Sequence, residues 1–309
     1  MANVIDINDI DLSQRYVVTF GNYDGYHLGH QHCVKSLCNK SKELGLKSIL
    51  IVFDPHTLNV INPNIKNFII TDTDTKNSLL KDTPLDYIIN LKFDQKIKQL
   101  SKSEFLKFLI DHVNPKCLLF GYDAKYGKGQ EGNIVFAREY FKNTDIEIEQ
   151  IRMFKYNNHE IKSSYIRECL RESKIKDANL ALNRKFEIKG VVVKGKGFGK
   201  TLGFPTANID IHDLYNVLPS NGVYLTIIKF DNSEYKALTN IGFRPTFSNG
   251  LSIKNIESYL IANKALDLYG KIIRIQFIDF IRPEIKFMDK SYLIKQIEKD
   301  LLNVTKMRY

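Results

Sequence analysis

The stretch GNYDGYHLGH, residues 21–30, decides the fold of the first half of this 309-residue chain. It follows a short apolar run, Tyr16 to Phe20, that is typical of a buried strand. Its glycines allow a sharp turn, and a periodic apolar pattern from Leu28 to Leu44 then predicts a helix. A strand, a glycine turn and a helix in this order indicate the first unit of an α/β fold.

The same alternation continues outward from this stretch to about residue 184. Three further buried strands are predicted at Lys47 to Phe53, Asp86 to Leu91 and Lys116 to Gly121. Ser101 and Glu104 have capping-box spacing and open a helix between the last two strands. Further helices are predicted at 163–172 and 176–183. Strands that alternate with helices predict a doubly wound parallel sheet covered on both faces.

The residue pattern of the sequence changes after about Arg184. Runs rich in Val, Ile, Tyr and Phe are separated by Gly, Pro and Asn turns, at 186–194, 222–230, 234–241, 253–261 and 271–281. Many short strands followed by one helical tail, 290–304, predict a closed six-stranded antiparallel β-barrel with a terminal helix. The sequence therefore predicts two domains, residues 1–184 and residues 185–309.

The composition is that of a globular protein, with 43% hydrophobic and 26% charged residues. The net charge of +10 comes from lysines spread along the whole chain, so we expect no nucleic-acid partner. Cys33, Cys38, Cys117 and Cys169 form no CxxC pair, which argues against a zinc site or a disulfide framework. No apolar run is long enough for a membrane helix and no secretory signal is visible, so we predict a cytoplasmic protein.

The first chemical constellation combines the glycine turn with two histidines. His27 and His30 are three residues apart at the start of the predicted helix, beside backbone N–H groups that favour an anion. Such donors suit a triphosphate whose charge shifts during displacement at the α-phosphorus. A metal pair is the alternative, with Asp24 as a further ligand, but no third clustered His, Cys or Glu supports it.

Two later segments have the chemistry of phosphate cradles. Gly121, Asp123 and Gly127 follow a strand end, where open parallel sheets bind ligands. Ser163, Ser164 and Arg167 open a helix with two hydroxyls and a guanidinium, which suit β- and γ-phosphates. An ordinary capped helix is the alternative for the second segment.

The second constellation is GKGFGKTLGFPTAN, residues 195–208. It is not a P-loop, because Gly195 is one residue too close to the later Gly-Lys-Thr, and Pro205 interrupts the helix of a dinucleotide fingerprint. A basic, glycine-rich loop can fold its N–H groups over phosphates. Thr206 and Asn208 can offer two neutral oxygens to a magnesium ion that keeps most of its waters.

These segments carry a resemblance to a known family. GNYDGYHLGH resembles the G-x-F-D-G-x-H-x-G-H signature of the nucleotidyltransferase superfamily, and it is followed by FDPH (53–56), GYDAKYGKGQEGN (121–133) and SSYIR (163–167). GKGFGKTLGFPTAN resembles the signature of riboflavin kinases, and it is followed by LPSNGVY (218–224), NIGFRPTF (240–247), LYGK (268–271) and IRPEIKF (281–287). The whole chain thus resembles the prokaryotic bifunctional riboflavin kinases/FAD synthetases.

The resemblance implies two sequential ATP-dependent reactions. Riboflavin would be phosphorylated to FMN in the barrel, with Glu257 as the catalytic base, and FMN would be adenylylated to FAD in the first domain, with release of pyrophosphate. In the kinase, ATP would be bound by Gly195, Gly197, Gly199, Lys200, Gly203, Pro205 and Thr206, with Mg²⁺ on Thr206 and Asn208. In the adenylyltransferase, His27 and His30 would be catalytic, and ATP would be bound by Gly21, Asn22, Asp24, Gly25, Gly121, Asp123, Gly127, Ser163, Ser164 and Arg167.

Departures from the family pattern leave alternatives open. Thr57, Ala124 and Tyr165 stand where the family has other residues, and they remove apolar contacts that could hold FMN or adenine. A single-activity enzyme, a flavin- or RNA-binding regulator and a different nucleotidyl transfer, such as cytidylylation of an alcohol phosphate, are the competing readings. We expect riboflavin, FMN and ATP as ligands, no membrane partner, and a monomer or weak oligomer.

Overall fold

The computed structural model describes residues 1–157, 159–195, 198–210, 215–245, 252–262 and 266–307. The chain forms two compact units. The first unit comprises Met1–Ile65 and Ile69–Ser163, and the second comprises Lys66–Phe68 and Ser164–Tyr309. The predicted boundary between residues 184 and 185 concerns the functional domains, and it stays a prediction.

The first unit is built on a six-stranded sheet in which every pairing is parallel. Its strands are β1 (Asn3–Ile5), β2 (Tyr16–Gly21), β3 (Lys47–Asp54), β4 (Tyr87–Lys92), β5 (Pro115–Phe120) and β6 (Glu147–Gln150). They lie in the order β1-β4-β3-β2-β5-β6. Val17 and Val18, neighbours on β2, belong to different hydrophobic clusters, so both faces of the sheet are buried. The predicted doubly wound parallel sheet is confirmed.

Helices cover this sheet and begin at residues that cap them. They are α1 (Leu28–Leu44), α2 (Thr57–Ile61), α3 (Thr73–Lys81), α4 (Gln95–Gln99), α5 (Lys102–Val113) and α6 (Ile134–Tyr140). Helix α1 has the predicted bounds, and the Ser101–Glu104 capping box of α5 is present. Across the described parts of the chain, no helix combines the length and the apolar character that a membrane span requires.

The sequence prediction missed the two edge strands of the sheet. β1 has three residues, two of them exposed, and β6 has four, three of them only half-buried. Edge strands lack the continuous apolar run that identifies a strand buried on both faces. A small hairpin of β7 (Lys155–Tyr156) and β8 (His159–Glu160) follows the sheet and was not predicted either.

The second unit is an antiparallel barrel preceded by two helices, α7 (Ser163–Arg171) and α8 (Ile175–Leu182). Its strands are β9 (Phe186–Val193), β10 (Thr206–Ile209), β11 (Gly222–Phe230), β12 (Ser233–Pro245), β13 (Ser252–Leu260) and β14 (Ile272–Arg282). They close in the order β10-β13-β12-β11-β14-β9. A short helix, α9 (Phe198–Thr201), precedes β10, and α10 (Lys290–Lys306) ends the chain. The predicted six-stranded barrel with a terminal helix is confirmed.

The two faces of the barrel wall have different roles. On the inner face, the buried hydroxyls of Thr226, Thr239 and Ser258 form a hydrogen-bonded ladder with spacings of 2.7 and 2.8 Å. On the outer face, Leu225 packs in one cluster with Val304 of α10. Helix α10 therefore covers the outer surface of the wall, and the cavity described below lies between the two.

Candidate active sites

The first candidate site lies at the carboxyl edge of the parallel sheet, where the strand order reverses. From β2 the chain proceeds to β3 and β4 on one side, and later to β5 and β6 on the other. Loops that leave neighbouring strands at such a reversal diverge and form the crevice in which α/β proteins bind ligands. The loops after β2 and β5 hold most of the predicted adenylyltransferase residues.

The loop after β2 has an unusual backbone. Tyr23 has a φ of 49° and Gly25 a φ of 87°, both in the left-handed region that glycine tolerates and tyrosine does not. The loop keeps this shape because Asp24, which is 3% exposed, accepts the N–H groups of Ile70 at 2.9 Å and Thr71 at 3.1 Å. The Asp24 carboxylate therefore fixes the loop. Its predicted contact with nucleotide stays a prediction.

The two histidines are stacked on each other. Their ring centroids are 3.7 Å apart with an interplanar angle of 17°. His27 is the N-cap of α1 rather than a residue of its first turn, and its Nδ1 accepts the His30 N–H at 3.3 Å. An Nδ1 that accepts a hydrogen bond carries no proton, so the proton of a neutral His27 lies on Nε2 as a donor. The N-terminus of α1 thus presents imidazoles beside its own backbone donors.

Sequence reasoning missed the contacts that hold Asn22. Its side chain donates to the Thr57 hydroxyl at 2.9 Å and accepts the Thr57 N–H at 3.0 Å. Thr57, which departs from the family pattern, thus connects the loop to α2 by two hydrogen bonds. The ammonium of Lys76, on α3, donates to the Asn22 carbonyl oxygen at 3.3 Å. No sequence motif marked Lys76, because a lysine on a helix is ordinarily exposed.

The loop after β5 packs closely against a neighbouring helix. Gly127 has a φ of 74°, and a Cβ there would lie 2.8 Å from the backbone nitrogen of Lys102. This position therefore requires glycine for its packing as well as for its backbone. Asp123 is exposed and lies 3.6 Å from the Lys162 ammonium, and Gly121 directly follows β5. Their predicted role in ATP binding stays a prediction.

The SSYIR segment is divided between the two units. Ser163 belongs to the first unit, where its hydroxyl donates to the backbone oxygen of Asp24 at 2.9 Å. Ser164 and Arg167 belong to the second. There, Arg167 is buried, donates from Nε to the Phe68 carbonyl at 2.8 Å and places its guanidinium 3.6 Å from the centroid of the Phe68 ring. The phosphate-binding role of these three residues stays a prediction.

Among the described residues of the first unit, the cysteines and acidic groups form no metal-binding cluster beside the loop after β2. All four cysteines of the chain are free. Burial raises the pKa of the Cys33 thiol, on α1, to about 12, so that it is a neutral thiol near pH 7. Cys117, Glu147 and Glu149 cluster at the β5–β6 edge, where the Lys40 ammonium pairs with both carboxylates, at 2.6 Å from Glu149 and 3.4 Å from Glu147.

The second candidate site lies on the outer face of the barrel wall, where three strands align three polar residues. Glu257 on β13 is directly opposite Asn208 on β10 and Asn240 on β12. The Thr206 hydroxyl donates to Glu257 Oε2 at 3.3 Å, and the Asn255 amide donates to Oε1 at 2.7 Å. Both carboxylate oxygens are thus held in place. Strand period brings Asn255 to the same face as Glu257, so this contact was recoverable from the sequence.

The glycine-rich loop packs against the Asn208 side chain of this polar row. A Cβ at Gly195 would lie 2.1 Å from the Asn208 amide nitrogen, and one at Gly199 would lie 2.4 Å from the Phe204 carbonyl oxygen. Gly203 has a φ of 85°. Gly197 and the side chain of Lys200 lie outside the described part of the structure. Gly195 and Gly199 are therefore needed for close packing and Gly203 for its backbone conformation, whereas the predicted ATP-binding role of the loop stays a prediction.

A cavity of about 350 Å³ opens at Glu257, between the barrel wall and α10. Its apolar lining comes from Leu202, Phe204, Val223, Leu238, Ile285, Phe287, Leu293 and Ile297. Its polar lining comes from Thr206, Asn240, Glu257, Tyr259, Arg282, Glu284 and Asp300. An apolar chamber with a few polar groups is the usual form of a site for a planar organic ligand.

A second cavity of about 350 Å³ lies next to the first. Thr206 and Tyr259 line both cavities, whereas Pro205, Leu268 and Tyr269 line only the second. Two ligands of different kinds could therefore meet at Thr206, close to the Glu257 carboxylate. Sequence reasoning had not located either cavity, because both depend on residues from distant strands.

A buried ion pair joins α10 to the barrel wall. Arg282 Nε lies 2.8 Å from Asp300 Oδ2, and the Gln296 amide donates to Asp300 Oδ1 at 2.8 Å. The side chains of Arg282 and Asp300 are only 14% and 3% exposed. Both residues line the cavity, so removal of the pair affects both folding and the cavity wall.

We expect Asp300→Ala to lower the free energy of unfolding of the second unit by about 3–5 kcal/mol, because it leaves the Arg282 charge buried and unpaired. Urea denaturation followed by circular dichroism measures the change. The matched control is Glu298→Ala on the exposed side of the same helix, which we expect to have little effect. Equal stability of the two variants would show that the ion pair contributes nothing to the docking of α10.

Comparison with family models matches both units. Residues 9–165 match the model described as FAD synthetase, and residues 182–308 match the model described as riboflavin kinase. The two matches follow each other along the chain in the order that the sequence motifs predicted.

Curated relatives match the chain along almost its whole length. A bifunctional riboflavin kinase/FMN adenylyltransferase from Buchnera aphidicola subsp. Acyrthosiphon pisum is 35% identical over 298 residues, which cover 96% of this chain and 94% of that one. A relative of the same name from Haemophilus influenzae is 32% identical and covers 93% of this chain and 92% of its own. A third from Escherichia coli strain K12 is 29% identical, with 93% and 90% covered.

A solved structure has the same fold. The crystal structure described as a macrolide-efflux protein from Streptococcus pneumoniae aligns with a TM-score of 0.85 and covers 99% of both chains. Its sequence identity is 24%. At this identity the likeness concerns the fold alone.

Proposed function

This chain belongs to the bifunctional riboflavin kinase/FMN adenylyltransferase family, and we propose that each of its two units performs one of the two reactions. The barrel phosphorylates riboflavin to FMN, and the parallel-sheet unit adenylylates FMN to FAD. The observation that supports the kinase assignment best is the Glu257 carboxylate, which is held by two hydrogen bonds at the mouth of an apolar cavity.

In the kinase reaction, we assign the flavin ring to the cavity covered by α10 and the nucleotide to the cavity beside Tyr269. This arrangement follows from Glu257, which lines the first cavity and must therefore lie beside the hydroxyl that attacks. Glu257 accepts the proton of the ribityl hydroxyl as its oxygen bonds to the γ-phosphorus. The bond between the γ-phosphorus and the bridging oxygen breaks, and ADP leaves.

Magnesium fits the residues of this site. The Thr206 hydroxyl and the Asn208 amide oxygen are hard oxygen donors, and they flank a carboxylate on the neighbouring strand. We assign Thr206 and Asn208 as the residues that hold the ion together with ATP. When bound, Mg²⁺ neutralises phosphate charge that develops during transfer. The glycine-rich loop supplies backbone donors to the same phosphates.

In the adenylyltransferase reaction, an FMN phosphate oxygen attacks the α-phosphorus of a second ATP, and pyrophosphate leaves. The attacking oxygen is already anionic, so the step requires no general base. His27 and His30 stabilise the charge that shifts toward the leaving group, at the N-terminus of α1, where the helix dipole also favours an anion. Gly21, Asn22, Asp24, Gly25, Gly121, Asp123, Gly127, Ser163, Ser164 and Arg167 complete the proposed ATP-binding set.

The proposal is tested by incubating the full chain with riboflavin, ATP and Mg²⁺ and separating the flavins by chromatography. We expect FMN to appear first and FAD to follow, and we expect neither product after chelation of the metal. FMN without FAD, even when FMN is added, would leave a riboflavin kinase alone. FAD from added FMN, without FMN from riboflavin, would leave an adenylyltransferase alone. The absence of both products would leave a binding protein.

Three further expectations come from the sequence and do not depend on the two sites. The cytoplasmic location, the absence of a nucleic-acid partner and the monomeric or weakly oligomeric state stay predictions. Light scattering at several protein concentrations measures the last of these directly.

A further inference from the structure

A buried lysine lies beneath the loop that follows β2. The Lys76 side chain is on α3, and the residue is only 4% exposed. Its ammonium donates to a backbone atom of the loop, the Asn22 carbonyl oxygen, at 3.3 Å. A buried ammonium is costly unless its surroundings stabilise the charge, so its retention calls for an explanation.

The carboxylates around Lys76 offset part of the cost of burying its charge. Burial lowers the pKa of the lysine, whereas the carboxylates of Asp54, Asp24 and Asp72 oppose that shift. Each carboxylate also has another hydrogen-bond donor. Asp24 accepts backbone N–H groups, Asp54 accepts the hydroxyl of Thr73 and Asp72 caps α3. Since the carboxylates are already fixed, the ammonium is not needed to satisfy them, and its hydrogen bond is directed at the loop.

The hydrogen bond from Lys76 sets the orientation of one peptide group. A peptide is planar and trans, so its carbonyl oxygen and its N–H point in opposite directions. When the Asn22 carbonyl points to the buried ammonium, the Tyr23 N–H of the same peptide points away from it. Tyr23 holds this arrangement at a φ of 49°, which is strained for a bulky residue and is typical of functional loops.

In the described structure, the other side-chain contacts of this loop engage other groups. The Asn22 side chain is tied to Thr57, the Asp24 side chain to the segment at Ile70, and the Asp24 carbonyl to Ser163. These three contacts engage two side chains and the Asp24 carbonyl, and none of them engages the 22–23 peptide group. Among the described residues, Lys76 alone supplies a side-chain donor to the Asn22 carbonyl.

We propose that Lys76 is a positioning residue of the adenylyltransferase site, which holds the 22–23 peptide so that its N–H faces the bound triphosphate. This inference rests on the proposed function of the first unit. Lys76 itself does not touch the reacting atoms. Its ammonium acts through the backbone of the loop, and it adds a positive charge beneath a site for a polyanion.

The test compares Lys76→Met with Lys81→Met in the full chain. Lys81 ends the same helix and is exposed, so it is a matched control. For FAD formation from FMN, we expect Lys76→Met to raise the KM for ATP by about tenfold or more, and to change the KM for FMN by less than about twofold. We expect Lys81→Met to leave both constants unchanged, and FMN formation to be unchanged in both variants.

The KM for ATP separates positioning from stability. A variant that merely unfolds part of the enzyme lowers kcat by reducing the active fraction and leaves KM unchanged. An unchanged KM for ATP in Lys76→Met would therefore overturn the inference, whatever happens to kcat. If this variant does not fold, the same measurement on Lys76→Gln decides, with the same two outcomes.

A conservative variant gives a second, independent outcome. Lys76→Arg keeps the buried charge and a donor, so we expect its KM for ATP to lie closer to that of the wild type than to that of the neutral variant. Equal impairment of the arginine and neutral variants would contradict the inference. Failure of the wild-type chain to make FAD would instead contradict the proposed function, so the two failures are distinguishable.

Discussion

Glu257→Gln is expected to lower kcat for FMN formation by about 100- to 10,000-fold, the range that a general base contributes. The glutamine keeps the size of the side chain but cannot accept a proton from the ribityl hydroxyl. In the wild-type protein, Asn255 and Thr206 hold both oxygens of the Glu257 carboxylate, so the base has one fixed orientation. The rate of FMN formation from riboflavin at saturating ATP measures the loss.

The same protein contains its own control for folding. The proposed route of FAD formation from added FMN does not involve Glu257, and we expect it to continue at the wild-type rate in Glu257→Gln. Glu234→Gln on β12, an exposed glutamate paired with Lys229, is the matched charge control and should leave both activities unchanged. A kinase rate in Glu257→Gln equal to that of the wild type would remove Glu257 from its proposed role.

His30→Ala should have the largest effect on the other reaction, a fall of about 100- to 1,000-fold in kcat for FAD formation. Preorganised donors at a site of developing charge are worth this much because they do not need to reorient during the reaction. His30 stacks on His27 at 3.7 Å, so the variant also frees the ring of its neighbour. Pyrophosphate release in the presence of FMN and ATP measures the rate.

The control for this variant is another histidine of the same unit. His112 lies at the end of α5, just before β5 begins, and therefore at the amino edge of the sheet, opposite the proposed site. We expect His112→Ala to retain FAD formation and His30→Ala to retain FMN formation. A parallel loss of both products in His30→Ala would contradict separate sites for the two reactions.

The sequence predicted well those elements that are buried on both faces or capped. Helix α1 has the predicted bounds because His27 caps its start and Gly45 ends it in the left-handed region. β3 and β11 were predicted because each is a short, mainly apolar run, which is typical of a buried strand. β1 and β6 were missed because they lie at sheet edges, and β10 was hidden within the glycine-rich motif.

The candidate sites were predictable to the extent that their residues are close in sequence. The histidine pair, the loop glycines and the Thr206–Asn208 pair each come from one segment, and the structure keeps each group together. The contact of Asn255 with Glu257 follows from strand periodicity. Asn240 and Tyr269 lie within the NIGFRPTF and LYGK segments, but only closure of the barrel shows that they line the cavities.

Taken alone, the amino-acid sequence determined the two-part architecture, the positions along the chain of the strands that form continuous apolar runs, and the chemical character of the two loops. These properties depend on local spacing, which backbone geometry converts directly into turns, faces and helix ends. Only the tertiary structure decided that both carboxylate oxygens of Glu257 accept hydrogen bonds and that α10 covers an apolar cavity. It also decided that Lys76 contacts the loop after β2. Such contacts join residues far apart in the chain, and long-range packing rather than local preference brings them together.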